Sequence, residues 1–296
     1  MKTNNDTRLV ALEKTQKITG ENQLKIKRLL LHVFIIVAGA IMLYPLIWMV
    51  SSSFKTDAEI FSDASFWPTT FTLDNYIQGW SALGGATFGR FFINTFFLVG
   101  ISAIGNVIAC SMAAYAFARL DFAFKKTLFA IMLVTLMLPF HVTLIPQYII
   151  FNGFDMVNTY WPLILPKFLA VEGFFIFLMV QFMRSIPKDL EEAARIDGCG
   201  PVKIYWKLIM PLTVPAVITT MIFTIIWTWN DFFSQLLYIS DTNLYTVSLA
   251  LRSFLDTMGE STWGALFAMT TLSLIPLLAI FIFSKNISLK ASLQEG

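Results

Sequence analysis

The residues with the most to say about chemistry lie in one polar loop, Ser185-Ile-Pro-Lys-Asp-Leu-Glu-Glu-Ala-Ala-Arg-Ile-Asp-Gly-Cys-Gly-Pro201. Pro187 suits a first helical position, where its missing N–H costs nothing. Asp189 and Glu191 fall in the early turns, where the helix dipole favours negative charge, and Gly198 suits the left-handed residue that closes a helix. This pattern predicts a helix of about 11 residues, some 16 Å long. Leu190, Ala193, Ala194 and Asp197 share one side by the three/four spacing. The two alanines permit close approach, and Glu191, Glu192 and Arg195 flank that face. Such a helix can be a knob for a partner's groove or a surface helix packed on its own chain; the residues alone leave both open. Pro201 starts a second helical stretch that runs into Pro211.

Two ionisable residues sit inside an apolar run, Lys167 and Glu172. Such groups cost roughly 2.5–3.5 kcal/mol at the centre of a membrane helix on insertion scales, so they face a cavity or a partner. Lys167 follows Pro166 near a helix end and can snorkel. Five residues apart on a helix, the two are about 140° apart, and no direct pair is expected. Glu172 is the candidate for lining a substrate path or bonding a partner. Trp227, Asn230 and Asp231, beside Trp229, combine aromatic faces with groups that bind hydroxyls, which suits a sugar. An interfacial aromatic belt with a polar end accounts for the same residues. His32 and His141 are isolated, and Cys110 and Cys199 have no metal-ligand neighbour. No paired carboxylates, metal cluster or G-x-x-x-x-G-K-[ST] phosphate loop is present, so the chain itself is not expected to be an enzyme.

The elements that must position these residues are apolar runs. Hydrophobic residues make up 56% of the 296 and charged residues 14%, too few charges to coat soluble domains and the wrong composition for disorder. Six runs, residues 29–50, 91–117, 128–150, 161–183, 209–229 and 264–284, are long enough to cross a bilayer as helices. The first is too long for a signal peptide and reads as an uncleaved anchor. Eight prolines (Pro45, Pro139, Pro146, Pro162, Pro166, Pro211, Pro215 and Pro276) fall in or beside the runs and can bend them. The net charge of +2 gives no case for nucleic acid, but it hides an asymmetry. The tails and the loops at 118–127 and 184–208 carry 17 of the 21 Lys and Arg; the other loops carry three. The basic segments belong on the cytoplasmic side. The expectation is an all-α polytopic membrane protein: a cytoplasmic tail at 1–28, a six-helix domain at 29–284 and a cytoplasmic tail at 285–296.

Glu192-Ala193-Ala194, then three residues, then Gly198, then nine, then Leu208-Ile-Met-Pro211 resembles the EAA loop of ABC-importer permeases. Further stretches resemble the carbohydrate-uptake branch, the maltose-transporter permease type: Phe66-Trp-Pro-Thr-Thr-Phe-Thr-Leu-Asp-Asn-Tyr76, Ala113-Ala-Tyr-Ala-Phe-Ala-Arg-Leu120, Leu138-Pro-Phe-His-Val-Thr-Leu-Ile-Pro146 and Ile226-Trp-Thr-Trp-Asn-Asp-Phe232. The resemblance implies a type I importer fold in a bacterial cytoplasmic membrane. It implies a heterodimer with a second homologous permease, two cytoplasmic ATPase subunits, an extracytoplasmic solute-binding protein and a sugar substrate. Leu190, Glu191, Glu192, Ala193, Ala194, Arg195, Asp197 and Gly198 would form the coupling helix, seated on the ATPase. This chain would bind no cofactor; ATP and Mg would belong to the ATPase. The family's frequent glycine-rich C-terminal tail is absent from Lys285-Asn-Ile-Ser-Leu-Lys-Ala-Ser-Leu-Gln-Glu-Gly296. The other class considered, an ion-coupled secondary transporter, needs carboxylate relays in the membrane; only Glu172 is available, and the loop would be unexplained.

Overall fold

The structure is a computed structural model that describes residues 3–62, 65–81, 85–255 and 262–293, with side chains described between 26 and 282. It comprises two compact units, Met1–Phe71 and Thr72–Gly296. The described residues are helices joined by turns, with no strand. In the first unit α1 (Thr3–Ser52) is followed by the short α2 (Asp57–Ser62). Apolar side chains from Leu29 to Leu43 are exposed around α1, as in a helix that faces lipid. The loop after α2 folds back on polar contacts. The Ser51 hydroxyl donates to the Phe66 carbonyl and the buried Lys55 ammonium to the Ser65 carbonyl. The Glu59 carboxylate accepts from the Thr69 N–H at 2.5 Å and from the hydroxyls of Thr69 and Thr70 at 2.8 and 3.1 Å.

The second unit is organised around one helix. In chain order its elements are α3 (Asp74–Ser81), α4 (Phe88–Arg119), α5 (Lys125–Thr135), α6 (Phe140–Gly153), α7 (Trp161–Phe168), α8 (Gly173–Ser185), α9 (Asp189–Ile196), α10 (Pro201–Ile204), a π-helical turn (Tyr205–Ile209), α11 (Met210–Leu212), α12 (Val214–Asn230), α13 (Phe233–Tyr238), α14 (Val247–Ser253) and α15 (Trp263–Leu293). At 32 residues, α4 runs about 48 Å and contributes to every apolar cluster. Phe88 and Phe91 pack with Val247, Phe254 and Met269, Leu98 with Leu163, Tyr238 and Leu249, and Cys110, Ala114 and Tyr115 with Phe175, Met179, Met183 and Tyr205. Small buried residues, Ser102, Ala103, Gly105, Asn106 and Ser111, let α4 meet its neighbours closely, the usual solution where lipid gives helices no hydrophobic drive to associate.

Four stretches are long and apolar enough to cross a membrane: Ile26–Ser52, Phe88–Arg119, Trp161–Ser185 and Trp263–Ile282. Two bent pairs raise the total to six if each counts as one span. The runs expected at 128–150 and 209–229 are therefore not single helices. The first breaks by 104° between α5 and α6: α5 ends at Thr135, and Pro139, which has no N–H to continue a helix, stands extended at ψ 131° before α6. The second bends by 78° at Thr213, between Pro211 and Pro215. There the Thr213 hydroxyl donates to the Ile209 carbonyl at 2.6 Å. The run at 161–183 is interrupted at 169–172, where Ala170 takes φ 53°. The tails expected at 1–28 and 285–296 continue α1 and α15 over 3–28 and 285–293; residues 1–2 and 294–296 lie outside the described residues.

Candidate functional site

The predicted loop helix is α9, three residues shorter than expected and closed as its glycine suggests. Gly198 sits at φ 76°. Its N–H donates to the Arg195 carbonyl at 3.0 Å and the Cys199 N–H to the Ala194 carbonyl at 2.9 Å, the paired bonds of a Schellman end. Leu190, Glu192, Ala193, Arg195, Ile196, Asp197 and Gly198 are all exposed, Ile196 at 87%. Ala194 is half-buried against the α4–α8 cluster.

Glu191 departs from the expected pattern. Its spacing puts it among the flanking charges, but it turns inward and is buried, with its Oε1 3.0 Å from Arg119 Nε. Both side chains are over nine-tenths buried. The reason lies in Arg119, the last residue of α4, whose guanidinium also donates to the Met183 carbonyl and, at 2.6 Å, to the Ile186 carbonyl. Those carbonyls sit at the end of α8, where intrahelical donors run out; the Met183 carbonyl also accepts from the Ile186 N–H at 3.2 Å. One planar fork thus ties α4, the end of α8 and α9 together. In the sequence Arg119 signalled only the side of the membrane. Below it, the Tyr115 hydroxyl donates to the Pro201 carbonyl at 3.2 Å, and Ser111 bonds the Tyr205 hydroxyl at 2.8 Å, fastening α4 to the far side of the loop.

The second group of expected residues gathers at the interruption of the fourth run. Lys167 and Glu172 form a direct ion pair, contrary to the expectation from helical spacing. The 140° separation presumes an unbroken helix, and none exists between them: α7 ends at Phe168, Ala170 is left-handed, and α8 restarts at Gly173. Glu172 precedes that restart, where the helix dipole favours its charge. Its second oxygen, Oε2, is buried with no hydrogen-bond partner among the described residues. The break is held against α4. A Cβ on Gly105 would stand 2.4 Å from the Phe168 ring, so glycine is what admits that ring. Cys110 Sγ donates to Asn106 Oδ1 at 3.0 Å and lies 3.8 Å from the Glu172 carbonyl. Asn106 in turn donates to Thr224 of α12 at 2.8 Å.

Trp227 comes to the same neighbourhood. Its ring centroid is 5.0 Å from Phe175 and 5.7 Å from Phe174, at the start of α8, and it remains half-exposed. Asn230 and Asp231 make local contacts. The Asn230 side-chain amide donates to the Ile226 carbonyl at 2.8 Å, and Asp231 Oδ1 accepts from the Ser234 N–H at 3.1 Å at the entry of α13. Trp229 is buried against Phe92 and Phe96. His141 lies edge-on to Phe233 at 5.3 Å.

Helices long and apolar enough to cross a membrane, two of them counted as bent pairs, define a polytopic membrane protein. Residues 105–290 match the family described as binding-protein-dependent transport system inner membrane component, and the chain belongs to that family. It is 33% identical to the probable ABC transporter permease protein YurM of Bacillus subtilis (strain 168), over 82% of this chain and 79% of that one. It is 27% identical to the diacetylchitobiose uptake system permease protein NgcG of Streptomyces coelicolor, over 90% of this chain and 87% of that one. The fold is also that of a chain in the crystal structure of a bacterial ABC transporter involved in the import of the acidic polysaccharide alginate. That match has a TM-score of 0.78 and 21% identity, and covers 88% of this chain and 96% of the other. The chain is thus a multi-pass cell-membrane permease component.

Proposed function

We propose that this chain is one of two permease subunits in an ATP-driven importer of a sugar or oligosaccharide. A binding protein outside delivers the substrate, and separate cytoplasmic ATPase subunits, using ATP and Mg, drive the cycle. The observation that supports this most is α9: eight residues with exposed Leu190, Glu192, Ala193 and Ile196 outward, and Glu191 anchored inward on Arg119. A short helix so fastened passes a push to the bundle, because α4 cannot stay still when α9 moves. The bends at Pro139 and Thr213 and the break at 169–172 supply places where rigid pieces of helix change their angle, so the path can open to either side. The carbohydrate assignment draws on relatives such as the diacetylchitobiose permease. Glu172 and Trp227 sit where the broken span meets α12, and with Asn230 and Asp231 they are the proposed contribution to the substrate path.

The test is reconstitution of the full chain with its second permease, ATPases and binding protein in vesicles. Uptake of labelled oligosaccharide should require ATP on the ATPase side and binding protein on the other. Uptake driven by a proton gradient without ATP would overturn the reading. So would unimpaired uptake when Glu192 and Gly198 are replaced by Ala and Pro.

A further inference from the structure

Where α4 and α8 end and α5 begins, the surface dips into a concave site of about 470 Å³. Lys125, Lys126, Arg184 and Lys188 line it, against a single carboxylate, Asp121. That carboxylate is already engaged. The Lys125 ammonium lies 3.5 Å from Asp121 Oδ1 and donates to the Leu120 carbonyl at 2.6 Å. Lys126, Arg184 and Lys188 have no ion pair among the described residues, so three uncompensated cations meet around the cavity. Its inner wall is apolar, formed by Phe117 and Phe129 with ring centroids 5.4 Å apart. The Arg184 guanidinium lies over the Phe129 ring at 5.3 Å, so that cation and apolar wall are already in contact.

The site also has a level. Arg119, Lys125 and Ser185 are the terminal residues of α4, α5 and α8, so the cations stand where three membrane-directed helices stop. A soluble anion would use the cations and leave the aromatic wall without a role. A phospholipid uses both, with its phosphate at the rim and its glycerol and first acyl carbons along the rings. We propose that this site holds an anionic phospholipid. Lys188 gives the lipid a route to α9, since its carbonyl accepts from the N–H groups of Glu191 and Glu192 at 2.9 and 3.1 Å. A headgroup held there ties the first turn of α9 to the bilayer surface. The inference rests on the chain spanning a membrane, not on the coupling role of α9, and its test needs no transport.

The experiment is native mass spectrometry of the assembled transporter in mild detergent with equal amounts of phosphatidylglycerol and phosphatidylcholine. The wild type should retain phosphatidylglycerol preferentially. Each of Lys126→Gln, Arg184→Gln and Lys188→Gln should reduce that preference about fivefold, the worth of one basic residue near an anionic surface. The charge-preserving set Lys126→Arg, Arg184→Lys and Lys188→Arg should keep it, which separates loss of charge from loss of fold. Equal retention of the two lipids by the wild type would overturn the proposal. So would a preference untouched by the neutral variants, or displacement of the lipid by millimolar inorganic phosphate, which would mark a plain anion site.

Discussion

The second unit uses two buried or half-buried glutamates, each with a cation from the same chain, and they do different work. Glu191 meets an arginine carried by a distant helix, and that arginine also satisfies two backbone carbonyls. Glu172 meets a lysine five residues away across a break in its own span; each carboxylate has one buried oxygen with no hydrogen bond among the described residues, Oε2 in Glu172 and, in Glu191, the Oε1 that faces Arg119 as an ion pair. The first is a multi-point clamp between elements. The second is a local brace, made of a point charge on a flexible stem, with about a fifth of each side chain exposed. A planar guanidinium can hold three acceptors in fixed directions and an ammonium cannot. The clamp is therefore suited to transmitting force and the brace to being rearranged.

Breaking the clamp should have the largest effect. Arg119→Ala leaves the buried Glu191 carboxylate without its cation and the Ile186 carbonyl without its donor, and removing one partner of a buried pair costs about 3–5 kcal/mol. The detergent-purified chain should show a markedly lower unfolding temperature. Arg119→Lys should recover only part of the loss, since one ammonium cannot reproduce the fork. Full recovery by lysine would erase the distinction between the two pairs.

The brace should respond less and less additively. Lys167→Met strips the half-buried Glu172 of its partner, whereas Lys167→Met with Glu172→Gln removes the charge along with its need for one. The double variant should be more stable than the single by about 1 kcal/mol, a moderate coupling for side chains in contact. Thermal unfolding of the four members of the cycle measures it. Strict additivity would mean that the two groups act independently despite their contact.

These two pairs also mark what could be read from residues alone. The end of α9 was legible because Gly198 is needed for a left-handed closure, and the apolar runs were legible because bilayer thickness demands about 20 residues. The direction of Glu191 was not, since α9 is polar on most sides and its inward face is set by an arginine on another helix. The Lys167–Glu172 pair was missed because the interruption has no proline or glycine at Ala170, and a left-handed alanine leaves no mark in sequence. The break packs across an interface, where Gly105 makes room for the Phe168 ring. The break at Pro139, by contrast, carried a signal in the Leu138-Pro139 step, which disfavours helix before the proline.

A carboxylate in the first unit sharpens the contrast, because neutral donors hold it. The Thr69 N–H, with the hydroxyls of Thr69 and Thr70, surrounds Glu59. The Thr69 backbone bond is the main reason its pKa lies below the ordinary 4.5. Hydrogen bonds to the charged form favour ionisation. A pKa lowered by folding gives a contribution that is complete above the unfolded value and is lost as pH falls through the folded one. Hydrogen exchange at the Thr69 amide should therefore be slow at neutral pH and quicken, relative to the intrinsic rate, only on acidification below the ordinary carboxylate range. Glu59→Gln should remove that dependence and have the smallest effect on global unfolding of the three sites. A Thr69 amide as well protected in Glu59→Gln as in the wild type, at neutral pH and on acidification alike, would show that the bond does not depend on the charge.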